Sequence, residues 1–105
     1  MHGARERLPD RRECEGFDLE ALGLHFHATI GRYDDGRLAE IFLDASKAGS
    51  AADTAARDSA ITASLALQAG IAPKTLLHAL VKDGAGKAMS PVGVVLEKIV
   101  GETGT

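Results

Sequence analysis

The alternation of apolar and polar positions is plainest from Leu24 to Tyr33. Leu24, Phe26, Ala28 and Ile30 point one way; His25, His27, Thr29 and Gly31 point the other. An unbroken period of two predicts a strand with one buried face. Upstream, Glu13 to Glu20 alternates acidic and apolar residues, with Phe17 and Leu19 on one face, and Glu20-Ala21-Leu22-Gly23 supplies a turn. Downstream, Arg37 to Asp44 reads as a third strand, and Asp35-Gly36 is a favoured type I′ hairpin dipeptide. With those two as loop residues, Ile30 faces Ile41 and Ala28 faces Leu43. A register one residue away would set Ile30 against Glu40, so the apolar faces select the first. The expectation is a three-stranded antiparallel meander. Its second face carries His25, His27, Thr29, Leu38, Glu40, Phe42 and Asp44. Leu38 and Phe42 are too apolar to stay wet there, which calls for cover by the N-terminal arm or another subunit.

Beyond Ala45–Ser50 the period becomes helical. Ser50 as N-cap, Asp53 three residues on, Gly70 as terminator and Pro73 beyond predict one long helix over Ala51 to Gly70. At 100° per residue it shows a broad face of small groups: Ala52, Ala55, Ala56, Ser59, Ala60, Ala63 and Ala66, beside Leu67. Ile61 and Leu65 form a second apolar patch, and Asp53, Arg57, Ser64 and Gln68 a narrow polar strip. A helix apolar on most sides is expected as a central post, between a sheet and other helices or a second subunit. Pro73 opens a second helix with Leu76, Leu77, Leu80 and Val81 buried. Asp83 to Met89 is a glycine-rich connector. Ser90 caps a third helix, Pro91 starts it, Val92, Val95, Leu96, Ile99 and Val100 form its stripe, and Gly101 ends it. The order β-β-β-α-α-α makes the fold class α+β. Residues 13–105 form one domain, after a polar arm over 1–12 expected to be flexible or loosely docked.

Composition narrows the classes. With 105 residues, no Trp, three Phe and one Tyr, the core must be aliphatic and alanine-rich. Net charge is −3 with both signs interspersed, which argues against nucleic acid as a partner. The Arg5, Arg7, Arg11 and Arg12 cluster is broken by Glu6, Asp10 and Glu13 and reads as a solvated tail. Cys14 is the only cysteine, so no intrachain disulfide is possible and a reducing, cytoplasmic setting is expected. The first residues lack the apolar run of a signal peptide, and no apolar stretch is long enough for a membrane span.

Candidate chemistry is sparse. Lys47-Ala48-Gly49-Ser50 leads into a helix N-terminus. Free N–H groups, the helix dipole and Lys47, with Arg57 folding back, would hold a phosphate or carboxylate. Plain capping with a close strand-to-helix turn accounts for the same residues. Arg57-Asp58, on a mostly apolar helix, reads either as a structural ion pair or as an anion-recognising Arg. His25 and His27 share a strand face with Asp44 opposite His27, a zinc-ligand spacing, but no second His pair exists. Surface or interface histidines are the plainer reading, and no metal is expected. His78 belongs at the edge of the second helix's stripe. Gly84-Ala85-Gly86-Lys87 fails the phosphate-loop pattern: Val81 stands where Gly is needed, Ala88 where Ser or Thr is needed, and a helix precedes it. Ser59 and Ser64 lack any nucleophile elbow.

Three stretches together carry a resemblance: residues 31–50 (GRYDDGRLAEIFLDASKAGS), 55–71 (AARDSAITASLALQAGI) and 76–99 (LLHALVKDGAGKAMSPVGVVLEKI). The most specific pieces are Asp35-Gly36-Arg37 followed by Glu40-Ile41-Phe42, Lys47 to Ser50, Arg57-Asp58-Ser59, and Asp83 to Gly93 ending in Ser90-Pro91-Val92-Gly93. In this order and spacing they resemble the TSCPD domain, found toward the C-terminal end of vitamin B12-dependent ribonucleotide reductases and as small free-standing proteins. The similarity covers about residues 17–100. The Thr-Ser-Cys-Pro-Asp string that names the family is absent, as is a cysteine-rich tail. Ribonucleotide reduction by such a protein would need a radical-forming Cys, a reducing Cys pair and a cofactor site. One cysteine does not supply that. The resemblance therefore implies a non-catalytic accessory or assembly module linked to deoxyribonucleotide synthesis. Reductase subunits or a homo-oligomer are its implied partners, and cobalamin enters only by family association. The alternative is a free-standing binding protein for a phosphorylated, nucleotide-like small molecule at Lys47, Gly49, Ser50 and Arg57.

Overall fold

The structure, a computed structural model, describes residues 5–8 and 13–105. Three strands come first, β1 (Cys14–Ala21), β2 (Leu24–Arg32) and β3 (Leu38–Ala45). Three helices follow, α1 (Ala51–Gln68), α2 (Pro73–Ala79) and α3 (Pro91–Thr103). The sheet is antiparallel in the order β1-β2-β3, so the fold is the α+β meander with its longest helix immediately after it. Most of the arm expected over residues 1–12 lies outside the described residues. Within 5–8, the Glu6 N–H reaches the Gln68 carbonyl at 2.8 Å, and the Tyr33 hydroxyl donates to the Glu6 carbonyl at 3.0 Å.

The register is the one the apolar faces select: Ile30 opposes Ile41, Ala28 opposes Leu43 and His27 opposes Asp44. The turns differ from expectation. Leu22 and Gly23 both take positive φ (56° and 72°), so the signature of a type I′ loop sits between β1 and β2. Between β2 and β3 only Gly36 has positive φ, and the Tyr33 N–H bonds the Arg37 carbonyl, which leaves three loop residues. The extra residue is absorbed by a register shift: Gly31 opposes Glu40, but Arg32 opposes Leu38. The bulge turns Leu38 onto the core side, where it is buried. The second sheet face therefore carries one large apolar side chain to cover, Phe42, rather than two.

The core lies between the sheet, α1 and α3. Phe26, Ile30, Ile41, Val95, Leu96 and Ile99 are its largest fully buried side chains. α1, the longest helix, packs against both β3 and α3. It runs antiparallel along the outer edge of β3, and three of its polar side chains bond that strand's backbone. Asp53 Oδ1 accepts from the Ala45 N–H (2.9 Å), Ser64 Oγ accepts from the Ile41 N–H (2.9 Å), and Gln68 Nε2 donates to the Ala39 carbonyl (3.0 Å). Ala56, Ala60 and Ala63 are buried on the same side, and their small volume lets the helix approach so closely. The narrow polar strip thus seals an edge strand, where bare N–H and C=O groups would otherwise invite pairing.

Two helix boundaries also move. α2 is short because Leu80 leaves it at ψ 159°, and the Lys82 ammonium takes the carbonyls of Leu77 and Leu80. Val81, expected in its buried stripe, is exposed as a result. α3 runs past Gly101 and ends at Gly104, a left-handed cap with φ 75°.

Candidate functional site

The strand-to-helix junction gathers most of the residues singled out for binding. Ser50 is the N-cap of α1: its Oγ accepts from the Asp53 N–H (3.1 Å) and donates to the Lys47 carbonyl (2.8 Å). Gly49 has φ 76°, which turns its N–H into the junction. That N–H donates to Asp53 Oδ2 (3.0 Å), and Arg57 Nε donates to the same oxygen (3.1 Å). The Arg57 Nη2 reaches Asp44 Oδ1 at 2.6 Å. Gly49, Ser50 and Arg57 do converge, then, but on an anion the chain itself carries. The Ala45 and Gly49 N–H groups, with Arg57 behind them, hold the Asp53 carboxyl below the usual carboxylate range. Lys47 is exposed and joins the group only through its carbonyl. Arg57 thus bridges Asp44 and Asp53. Sequence reasoning took Asp53 for a capping residue alone. The signal for its larger role was an acid in the first helical turn, directly after a loop whose N–H groups lack partners.

The histidines are assembled otherwise than by Asp44. Asp18 lies beside them from β1: its Oδ1 is 2.9 Å from His27 Nδ1 and 3.8 Å from His25 Nε2. The hydrogen bond from His27 leads in holding the Asp18 carboxyl below its ordinary value. Asp44 opposes His27 in the ladder yet turns its carboxylate to Arg57. His25, His27 and Asp44 do not meet at one point. Among the described residues no group of three or more His, Cys, Asp or Glu side chains is placed to hold a metal ion. The Asp83–Met89 connector is organised internally too. Asp83 Oδ1 accepts from the N–H groups of Ala85 (2.8 Å) and Lys87 (3.0 Å), the donors a phosphate would use.

The feature that remains unsatisfied is apolar. Phe42 on β3 is 50% exposed, and Ile61 and Leu65 on α1 are 57% and 45% exposed. They line one continuous surface where the outer sides of β3 and α1 meet, with Leu8 and Arg5 at one end and the Arg57–Asp44 pair at the other. Three large apolar side chains grouped on a small domain are the kind of patch that marks an interaction site. The sequence singled out each of them, as the second sheet face and as the second patch of the helix. It did not bring them together.

No protein-family model matches the chain, and no solved structure matches it. Part of the chain is similar to much longer proteins. It is 44% identical over 69 residues to the vitamin B12-dependent ribonucleotide reductase of Bradyrhizobium diazoefficiens, a span that is 64% of this chain and 5% of that protein. It is 39% identical over 69 residues to the vitamin B12-dependent ribonucleotide reductase of Agrobacterium fabrum, with the same shares. These partial homologues are enzymes of the kind in which the TSCPD resemblance placed this fold. Among the described residues no helix is long and apolar enough to cross a membrane.

Proposed function

We propose that this chain is a non-catalytic accessory or assembly module of cytoplasmic deoxyribonucleotide synthesis, which docks on ribonucleotide reductase subunits or on a second copy of itself. The observation that carries this reading is the similarity over 69 residues to a segment amounting to 5% of a vitamin B12-dependent ribonucleotide reductase. We infer that a segment that small docks against the rest of so long a protein. The Phe42, Ile61 and Leu65 surface supplies the apolar contact such packing requires. The 105 residues hold one thiol, Cys14, which leaves the reducing pair of such chemistry unsupplied.

The name of these relatives couples them to vitamin B12. The role proposed for this chain includes no step through that group.

The test is co-expression of the tagged chain with a vitamin B12-dependent ribonucleotide reductase, followed by affinity capture and sedimentation. Retention of reductase subunits, lost on Phe42→Asp with Ile61→Asp, is the expected result. A chain that sediments as a monomer and retains no reductase in either form overturns the proposal.

A further inference from the structure

We propose that the open edge of β1 accepts an extended, basic segment of another protein as a fourth strand of the sheet. The inference stands independently of any link to ribonucleotide reduction. It starts from which backbone groups face outward. The Ser46 N–H bonds the His25 carbonyl at 3.2 Å, so the odd-numbered residues of β2 form the hydrogen-bonded pairs with β3. The even-numbered residues of β2 therefore bond β1, through Glu15, Phe17, Leu19 and Ala21 opposite them. Gly16, Asp18 and Glu20 are left with N–H and C=O groups aimed away from the sheet. The same alternation on β3 aims Ala39, Ile41 and Ala45 outward, and there Gln68, Ser64 and Asp53 meet them. Among the described residues, no such partner reaches the backbone of Gly16, Asp18 or Glu20. Among the described residues, one margin of this sheet is sealed and the other is open.

The side chains along the open margin select what fits it. Glu13, Glu15, Asp18 and Glu20 lie on or next to β1, and no basic residue stands between them. Asp18 is shared with His25 and His27, and Glu15 lies 3.9 Å from Arg32. Those cations come from β2, and Lys98 reaches the Phe17 ring from α3 at 5.0 Å, so none of them belongs to β1 itself. A second copy pairing β1 with β1 would bring two acidic rows within one strand spacing, about 4.8 Å, and like charges so close oppose pairing. A segment with Lys or Arg at alternate positions sets its cations on one face, beside Asp18 and Glu20 in one register or beside Glu15 in the other, and gains the main-chain hydrogen bonds of strand addition. Gly16 to Glu20 spans about 14 Å at 3.4 Å per residue, room for a partner of about five residues.

The experiment uses the full chain, labelled with nitrogen-15, and a capped nonapeptide of alternating Lys and Thr as probe. Titration is expected to shift the amides of Gly16, Asp18 and Glu20 and to slow their exchange, with Phe17 and Leu19 little changed. The same peptide with Glu for Lys is expected to leave all five unmoved. Gly16→Pro removes an outward N–H without touching the β1–β2 ladder and is expected to weaken binding at least tenfold. Should that variant unfold, Glu15→Lys with Glu20→Lys is expected to weaken the Lys peptide and admit the Glu peptide. Shifts confined to other elements, equal binding of both peptides, or a dimer of the chain that Gly16→Pro dissolves would each overturn the proposal.

Discussion

Ser64→Ala tests whether the α1–β3 seam is held by side-chain bonds to backbone or merely by apolar packing. Ser64 is buried, and its Oγ accepts from the Ile41 N–H at 2.9 Å. Its single proton is then given to the carbonyl of Ala60 (2.8 Å) or of Ile41 (3.1 Å). Alanine removes one atom from the seam and strands the Ile41 N–H in a place water does not reach, since Ile41 is 1% exposed. A lost hydrogen bond that leaves a buried donor unpaired costs about 1–3 kcal/mol, and the carbonyl keeps a chance of other partners. We expect about 2 kcal/mol, a fall in Tm of about 10 °C for a domain of this size. Urea unfolding measures the first and a thermal melt the second. Hydrogen exchange at the Ile41 amide gives the local readout, expected to quicken by more than the global loss explains. Ser59→Ala is the control, because Ser59 Oγ bonds only the Ala56 carbonyl in its own helix (2.9 Å). That variant is expected within ~0.5 kcal/mol of the parent. Ser64→Ala falling in the same range, with Ile41 protection unchanged, would refute the edge-sealing argument.

Asp53 gives the seam a pH dependence. Its folded-state carboxyl lies below the ordinary 3.8, so its contribution is present above that value and lost as pH falls through the folded one. Stability measured against pH is expected to show the gap between the parent and Asp53→Asn closing as pH drops below about 4. Leu22 holds φ 56° in an exposed turn, a conformation that Asn tolerates better. Leu22→Asn is expected to raise the urea midpoint by the equivalent of about 1 kcal/mol. Gly93→Ala places a Cβ 2.8 Å from the Ala88 Cβ. It is expected to destabilise by about 1–3 kcal/mol despite better helix propensity, with Ala88→Gly restoring part of the loss in the same unfolding assay. A Cβ at Gly31 would fall 2.4 Å from a carboxylate oxygen of buried Glu40. Gly31→Ala is expected to lower the melting temperature, and Glu40→Ala to relieve most of that effect in the double variant.

The strands and their register were legible because burial imposes one parity. A slip at Ile30 and Ile41 would put Glu40 against the core, and nothing local disputes it. The turns were not, because dipeptide preference is weaker than the demand of a neighbour. Asp35-Gly36 favours a two-residue loop, yet Leu38 reaches the core only if one more residue enters and a bulge follows. Glu20 to Gly23 reads as a turn, but its tight two-residue form does not show, since Leu seldom accepts positive φ and only the close pairing of Ala21 with Leu24 forces it there. Val81 was lost to a cap that no periodicity encodes, a Lys folding back over the end of α2. At the junction, Gly49, Ser50 and Arg57 all bond Asp53, while the Lys47 side chain stays exposed. That part was not legible, because a carboxylate inside the cluster looks in sequence like one more cap. The Phe42, Ile61 and Leu65 surface joins two elements, and its contiguity depended on α1 lying at the sheet's edge rather than over its face.

The seam between α1 and β3 is also a ruler. Four residues of helix advance about 6 Å and two residues of strand about 6.8 Å, so the two repeats stay nearly in step. Ser64 and Gln68, four apart, meet Ile41 and Ala39, two apart. Eleven residues earlier Asp53 meets Ala45, a helical advance of about 16.5 Å against about 13.6 Å of strand. A single residue inserted between Asp53 and Ser64 would swing one contact or the other about 100° off the seam. The Ser46–Ser50 linker has no such constraint on its length beyond the Gly49 contact. Length variation in descendants of this sequence should therefore gather in the linker and in the Asp83–Met89 turn, while the stretch from Asp53 to Gln68 keeps its count even where its residues change.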